Sequence, residues 1–373
     1  MKILVTGAKG FIGKNLIAEL KNQNYQDIYE FDLDSKQEQL DVFCRDCDFV
    51  FHLAGVNRPT DTKEFMEGNF GFTSILLETL KKYHNTCPIM ISSSIQAALN
   101  NPYGLSKKAG EDLMFEYAKE TGAKILIYRF PNVYGKWCRP NYNSAVATFC
   151  HNIANDLPIT INNRDTLMHL VYIDDVFYEL ISAMKGHGHQ IGDYYYVPVE
   201  DEVTLGQIVD TLYSFKENRK NKEIPNFSSH FEKSLYSTYL SYLPVDKFSY
   251  PLEMHIDNRG SFTEIIRTLE KGQFSVNIAH PGITKGNHWH HTKNEKFLVV
   301  YGHCLIKFRK IDSSEIITYD VSGDKLEVVD IPVGYTHSIT NIGKEDSVTL
   351  MWCNESFDSN KPDTFFLEVE NYD

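Results

Sequence analysis

No apolar run in this chain approaches the roughly 18 residues that a helix needs to cross a bilayer. The first residues carry no signal-peptide pattern either, because Lys9 and two glycines interrupt the opening apolar stretch. Both absences point to a cytoplasmic protein with no membrane partner. Cysteine is sparse and unpaired in pattern: Cys44, Cys47, Cys87, Cys138, Cys150, Cys304 and Cys353 make an odd number, widely scattered. That makes a poor disulfide framework and fits a reducing compartment. Cys44 and Cys47 form a lone C-x-x-C with no second pair, which reads as two ordinary cysteines ahead of a strand. Positive charge is also short: 37 Lys and Arg against 50 Asp and Glu leave a net charge of −13. Such a surface has no general attraction for nucleic acid or anionic lipid. Internal repeats and low-complexity tracts are missing as well.

What remains is ordinary globular material, 42% hydrophobic and 23% charged over 373 residues. That length predicts two domains. The first 185 residues alternate short apolar runs (2–6, 28–32, 48–54, 88–92, 125–128) with helical periods such as 13–22, 73–83, 106–121, 142–156 and 172–185. Strands alternating with helices of this size predict an α/β Rossmann-like doubly wound parallel sheet. Thr204 is placed to cap a helix over 204–218. A solvated charge run follows at 216–222, and a Ser-, Tyr- and Asn-rich stretch at 226–250 reads as a connector. Beyond it the grammar changes to short alternations punctuated by Gly, Asn and Asp, predicting an all-β small barrel or sandwich. The expected domains are therefore 1–245 and 246–373.

Thr6-Gly7-Ala8-Lys9-Gly10-Phe11-Ile12-Gly13 follows the first strand and opens the first helix. Gly7 permits the tight turn, Gly10 leaves room for a pyrophosphate, and Gly13 lets helix and strand approach closely. The helix N-terminus then offers free N–H groups to the anion. Asp32 ends the second strand about 20 residues on, where a carboxylate accepts from the adenosine ribose. That favours NAD(H), while NADP(H) stays open because a neighbouring cation overrides the carboxylate. Tyr103 and Lys107 lie four apart at the start of a helix, hence on one face. An ammonium there is expected to lower the phenol's pKa and fit it for proton transfer at a carbonyl. Ser92-Ser93-Ser94 ends the preceding strand, and Ser94 is the hydroxyl chosen to orient the reacting oxygen.

These segments together resemble the extended short-chain dehydrogenase/reductases that act on nucleotide sugars. The resemblance rests on T-G-A-K-G-F-I-G at 6–13, H-L-A-G at 52–55, Asn69, S-S-S at 92–94, Y-G-L-S-K at 103–107 and R-F-P-N-V-Y-G at 129–135. It implies that Phe11, Ile12, Leu53, Ala54 and Lys107 join Gly7, Gly10, Gly13 and Asp32 around the dinucleotide. It also implies that Asn132 meets the diphosphate of a UDP-sugar and that Arg129-Phe130-Pro131 borders the nicotinamide. The chain departs from the usual R-D-F before its V-Y-x-D-D segment, carrying Met168-His169-Leu170 instead.

The second half holds a histidine cluster. His288 and His290 face one side of a strand, Glu295 follows, and His337 comes later in Pro332-Val-Gly334-Tyr-Thr-His337. Three imidazoles and a carboxylate suit Zn, Mn, Fe or Ni. The spacing resembles both cupin motifs, which makes His288, His290, Glu295 and His337 the ligands of one divalent metal, zinc foremost, with His291 an alternative to His290. Arg259, Phe262 and Glu264 resemble the substrate-binding segment of the cupin-fold sugar-nucleotide 3,5-epimerases. Lys285, His291 and Tyr335 are candidates for the base and acid of such a reaction.

A reductase half followed by an epimerase-like half resembles, over essentially the whole chain, the bifunctional capsular polysaccharide synthesis enzymes. That resemblance implies a homodimer in which the cupin domain epimerises C3 of UDP-2-acetamido-2,6-dideoxy-4-hexulose. The reductase domain then reduces C4, giving UDP-2-acetamido-2,6-dideoxy-L-talose on the route to N-acetyl-L-fucosamine. The alternatives are a dinucleotide-sensing protein with a structural cupin, and an iron cupin oxygenase.

Overall fold

A computed structural model describes residues 1–268, 270–356, 358 and 360–370. The chain divides into two compact units, Met1–Tyr213 with Phe227–Pro244 and Ser214–Asn226 with Val245–Asp373. Residues 214–226, read from sequence as part of the first domain, thus group with the second. Among the described residues no helix is long and apolar enough to cross a membrane.

The strands of the first unit are β1 (Ile3–Thr6), β2 (Ile28–Phe31), β3 (Phe49–His52), β4 (Ile89–Ser94), β5 (Ile125–Phe130), β6 (Asn132–Tyr134), β7 (Leu167–Tyr172), β8 (Gln190–Ile191), β9 (Tyr194–Tyr195) and β10 (Asp201–Thr204). Seven of them make one sheet in the order β2-β1-β3-β4-β5-β9-β8, parallel except at the β8–β9 edge; β10, β7 and β6 make a second. Residues Ile3–Thr6 and Phe49–His52 are wholly buried. That is why these strands read as continuous apolar runs and not as alternation. The helices are α1 (Phe11–Asn22), α2 (Gln37–Asp46), α3 (Lys63–Phe65), α4 (Phe72–Lys82), α5 (Pro102–Thr121), α6 (Ala145–Ala154), α7 (Ile173–Met184), α8 (Leu205–Asn221) and α9 (His230–Leu240). Five of them cover the two faces of the large sheet: Leu16 of α1 and Leu180 of α7 belong to one apolar cluster, Leu40 of α2, Leu80 of α4 and Met114 of α5 to the other.

Helix α9 corrects the reading of 226–250 as a connector. Ser229 caps it by accepting from the Glu232 N–H at 3.0 Å, and Phe231, Leu235 and Tyr239 are buried. Ser229-His-Phe-Glu232 is the capping-box spacing, a signal outweighed in the sequence by the surrounding polar composition. Thr204 caps α8 as expected, accepting from the Gln207 N–H at 3.1 Å.

The second unit is all β: β11 (His255–Asp257), β12 (Gly260–Thr268), β13 (Gly272–Ala279), β14 (Thr284–Trp289), β15 (Glu295–Tyr301), β16 (His303–Lys310), β17 (Ile316–Ser322), β18 (Val328–Ile331), β19 (Tyr335–Asn341), β20 (Ser347–Cys353) and β21 (Phe365–Phe366). One sheet runs β11-β12-β13-β20-β15-β18 and the other β17-β16-β19-β14-β21. Phe297, Val299 and Ile331 from the first sheet share a core with Ile306, Phe308 and Ile339 from the second. The two sheets therefore pack face to face, consistent with a cupin-like domain. A bulge in β14 separates Gly286 from His288, with Asn287 at φ 59°. It puts Lys285, paired with Ile339, on the same inner face as His288, paired with His337.

Candidate active sites

In the first unit the turn between β1 and α1 is shaped by what its glycines lack. A Cβ on Gly7 (φ 69°) would lie 2.7 Å from the Ala54 nitrogen, and one on Gly13 only 2.2 Å from the Gly7 carbonyl oxygen. Gly7, Gly10, Phe11, Ile12 and Gly13 line a cleft of about 670 Å³, together with Leu53, Ser92, Ser94, Tyr103, Lys107, Phe130, Pro131 and Asn132. Ala54 packs on Gly7 from outside that lining. The Asp32 carboxylate is already used: Oδ2 accepts from the Lys9 N–H at 2.7 Å and Oδ1 from the Leu33 N–H at 2.8 Å. It clasps the glycine turn to the end of β2, and the Lys9 ammonium pairs with Asp34 beside it.

Helix α5 sets Tyr103 and Lys107. Asn101 caps it by accepting from the Gly104 N–H at 2.8 Å, and Pro102 takes the first helical position. Lys107 is buried, donates to the Ser92 carbonyl at 3.0 Å, and stands 5.9 Å from the centre of the Tyr103 ring. Burial lowers its pKa to about 8 against an opposing pull from Glu111. Burial raises the Tyr103 pKa, and the Ser94 hydroxyl beside it works against that rise. Ser94 also accepts from the Gln96 N–H at 3.2 Å.

Arg129 is a second correction. Along β5 it points away from the cleft that Phe130 lines. Its guanidinium grips Glu111 at 2.8 and 2.6 Å and lies 3.8 Å from the centre of the Tyr194 ring. Ser93 donates to the same carboxylate at 2.6 Å. Glu111 was missed in the sequence, although it sits four residues past Lys107 on the same helix face. His52, matched in the sequence as the start of H-L-A-G but given no role there, is held between the hydroxyls of Thr6 (2.7 Å) and Thr73 (2.8 Å) and pushed down to about 3, first by burial and then by the Lys107 charge. Asn69 sits in a π-helical turn (Met66–Gly71) and donates to Ser106 at 2.9 Å, closing the network behind Lys107.

In the second unit His288, His290, Glu295 and His337 each offer a ligand atom, all within 4.8 Å of one another. Glu295 Oε2 lies 3.2 Å from His337 Nε2 and 3.5 Å from His290 Nε2. Those three atoms are buried without a hydrogen-bond partner. Burial and the neighbouring His337 push His288 down to about 4. Although burial opposes it, the histidines hold the Glu295 carboxyl below its usual range. A His288 that burial keeps neutral, an ionised carboxylate and inward atoms without hydrogen-bond partners are what a divalent cation requires, so the donor set fits. His290 Nδ1 meets the Asp363 carbonyl, which turns Nε2 inward. The Asp363 carboxylate accepts from the N–H groups of His291, Thr292 and Lys293 at 2.7–3.1 Å and so fixes the following loop. Nothing in the local sequence pointed to Asp363.

The remaining candidates separate. His291 is exposed and packs on Trp289 and Phe365, outside the cluster. Tyr335 shares the strand face of His337, and Lys285 donates to Asn277 at 2.7 Å and to the Ile278 carbonyl at 2.9 Å. Arg259 is committed to Asp257 in the β11–β12 turn, and Glu264 to Arg267 at 2.5 and 2.6 Å. Phe262, on the strand face of Glu264, is partly exposed.

Residues 3–192 match the NAD dependent epimerase/dehydratase family, and residues 255–365 match the polysaccharide biosynthesis C-terminal domain. The chain belongs to the NAD dependent epimerase/dehydratase family. Membership carries a nicotinamide cofactor, which the glycine turn fits. Among relatives of this family, the UDP-2-acetamido-2,6-beta-L-arabino-hexul-4-ose reductase of Pseudomonas aeruginosa is 44% identical over 371 residues, 99% of each chain. The crystal structure of the capsular polysaccharide assembling protein CapF from Staphylococcus aureus superposes with a TM-score of 0.94 at 54% identity, covering 99% of this chain and 100% of that one. A UDP-glucose 4-epimerase from Thermus thermophilus, solved with NAD, shares the fold over 65% of this chain at 18% identity, TM-score 0.53, and covers 99% of that chain.

Proposed function

We propose that this chain is a two-site enzyme acting on a UDP-linked 4-keto sugar. The second unit epimerises C3 of UDP-2-acetamido-2,6-dideoxy-4-hexulose, and the first reduces its C4 ketone. The product, UDP-2-acetamido-2,6-dideoxy-L-talose, would serve capsule precursor synthesis. The observation that carries the reading is the buried Lys107 one turn from Tyr103 in the cleft of the glycine turn. The names of the two most similar relatives given above, a hexulose reductase and a capsule assembling protein, support the substrate class.

Gly7, Gly10, Phe11, Ile12 and Gly13 would hold a reduced nicotinamide dinucleotide, which would supply a hydride for C4. Tyr103 gives its proton to the carbonyl oxygen as that oxygen becomes an alcohol. The Lys107 ammonium steadies the phenolate left behind, and Ser94 orients the ketone by hydrogen bonding. In the second unit His288, His290, Glu295 and His337 would hold a divalent cation, whose chemistry is to polarise a keto oxygen and acidify the neighbouring C–H. Lys285 and Tyr335 are the candidates we assign to moving the C3 proton, Lys285 once it leaves Asn277 and the Ile278 carbonyl.

The test uses the full chain, a 4-keto UDP-sugar and reduced dinucleotide in deuterated water. Wild type consumes the dinucleotide and incorporates deuterium at C3. Tyr103→Phe still binds the dinucleotide and still exchanges C3, while reduction falls roughly 10²–10⁴-fold. Undiminished reduction removes Tyr103 from the acid role; an unlabelled C3 removes the epimerase.

A further inference from the structure

The reductase chemistry leaves one part of the first cleft without a role, the loop of residues 135–144 between β6 and α6. Its backbone takes three left-handed conformations, at Gly135 (φ 146°), Trp137 (φ 67°) and Asn141 (φ 55°). The glycine is forced, since a Cβ there would lie 2.2 Å from the Ile173 side chain. A tryptophan in that region is not forced by its own preference; the loop around it must hold it. Anchors come from several elements. The Lys136 carbonyl accepts from Asn15 of α1 at 3.2 Å, and the Lys136 ammonium pairs with Asp174 of α7. The Cys138 carbonyl accepts from the Tyr242 hydroxyl, and the Asn141 N–H donates to Thr148 of α6 at 3.0 Å.

What this pinned loop presents is apolar, cationic and unused. Trp137, Arg139 and Tyr142 all line the cleft. The Trp137 side chain stays 55% exposed, so it is not core. The Arg139 guanidinium sits 5.1 Å from the centre of the Tyr142 ring, and among the described residues no carboxylate pairs with it. The cleft lining also includes Lys9, Lys14, Arg58 and Lys107 but no acidic side chain. On a chain of net charge −13 such a wall is a local reversal of sign, suited to a polyanion.

We propose that Trp137 and Arg139 clamp the nucleoside diphosphate end of the substrate, the indole stacking on the base and the guanidinium binding the diphosphate. This rests on the nucleotide-sugar reading above and names the residues that select its handle. A nucleobase is a flat π surface that stacks well on an indole. A guanidinium offers phosphate oxygens two parallel N–H donors, and Tyr142 behind it keeps the fork in one plane. Prior anchoring of the loop means that little freedom is lost when the ligand arrives.

The experiment is titration calorimetry on the full chain with UDP, inorganic pyrophosphate and reduced dinucleotide as separate probes. Trp137→Ala is expected to weaken UDP about tenfold or more and to leave pyrophosphate unchanged. Trp137→Phe restores UDP affinity to within about threefold of wild type. Arg139→Ala weakens UDP and pyrophosphate alike. Unchanged dinucleotide affinity in every variant shows that the cleft is intact. Full UDP affinity in both alanine variants overturns the clamp while leaving wild-type reduction of the UDP-sugar as it was. A parallel loss of dinucleotide affinity overturns it too, since the loop would then merely support the cleft. Failure of wild type itself to bind UDP overturns the nucleotide-sugar reading and the clamp with it.

Discussion

Behind the cleft of the first unit, three buried ionisable groups have protein partners: His52 lies between two threonines, Lys107 against a carbonyl, Glu111 between Arg129 and Ser93. At the centre of the second unit the pattern is the opposite. His290 Nε2, Glu295 Oε2 and His337 Nε2 converge on one point and satisfy nothing there. The first arrangement keeps its shape with or without a ligand. The second buries polar atoms at a cost that a bound cation would remove. Stability should therefore follow cation occupancy in the second unit and depend far less on the cofactor in the first.

Removal of divalent cation is the strongest way to break that comparison. Treatment with a chelator should abolish C3 exchange. It should also cut amide-hydrogen protection over residues 260–353, and readdition of Zn²⁺ at 100 times its Kd should recover about 2.7 kcal/mol. Protection over β1–β5 should hardly move. Equal losses in both units would mean that the convergence of four ligand atoms has no bearing on stability.

Glu111→Gln tests the other side. It leaves the Arg129 guanidinium facing a neutral amide with its charge uncompensated. Breaking a buried pair costs roughly 3–5 kcal/mol, and the arginine side chain is 24% exposed here, so about 2–3 kcal/mol is expected. The loss should register in β4, β5 and α5 by hydrogen exchange and leave residues 260–353 untouched. An unchanged β4–β5 pair would show that the network is ornamental to the sheet.

Most of both candidate sites could be read from spacing, because each chemical group sits on or directly beside a regular element whose period fixes its direction. Gly7, Gly10 and Gly13 follow the strand–turn–helix rule, Tyr103 and Lys107 the helical repeat, and His288 and His290 the strand repeat. Where the reading went astray, direction depended on something other than the period. Arg129 was grouped with Phe130 as one segment, yet neighbours in a strand face opposite sides. Lys285 and His288 are three apart and share a face only because of the bulge at Asn287, which needs φ 59°. Glu264 looked free to bind a ligand, but a second bulge between Glu264 and Ile266 lies on the way to Arg267, which takes up its carboxylate. Asp363 acts across 70 residues on Lys293, beyond the reach of any local pattern.

The smallest effect comes from the helix hidden in the polar stretch. Helix α9 has 11 residues, too few to be stable alone in water. It persists because Phe231, Leu235 and Tyr239 are buried and because Ser229 satisfies one N–H at its start. Ser229→Ala removes only the second of these, at a cost of about 1 kcal/mol. The apolar face stays, so the helix should fray at its first turn and not detach. Its clustering with the first unit, while the nearby residues 214–226 cluster with the second, says where the change must appear. Exchange should quicken over 230–234 and, more weakly, in α6, with residues 260–353 unaffected. A matching change in the β strands of the second unit would place α9 on the wrong side of the comparison.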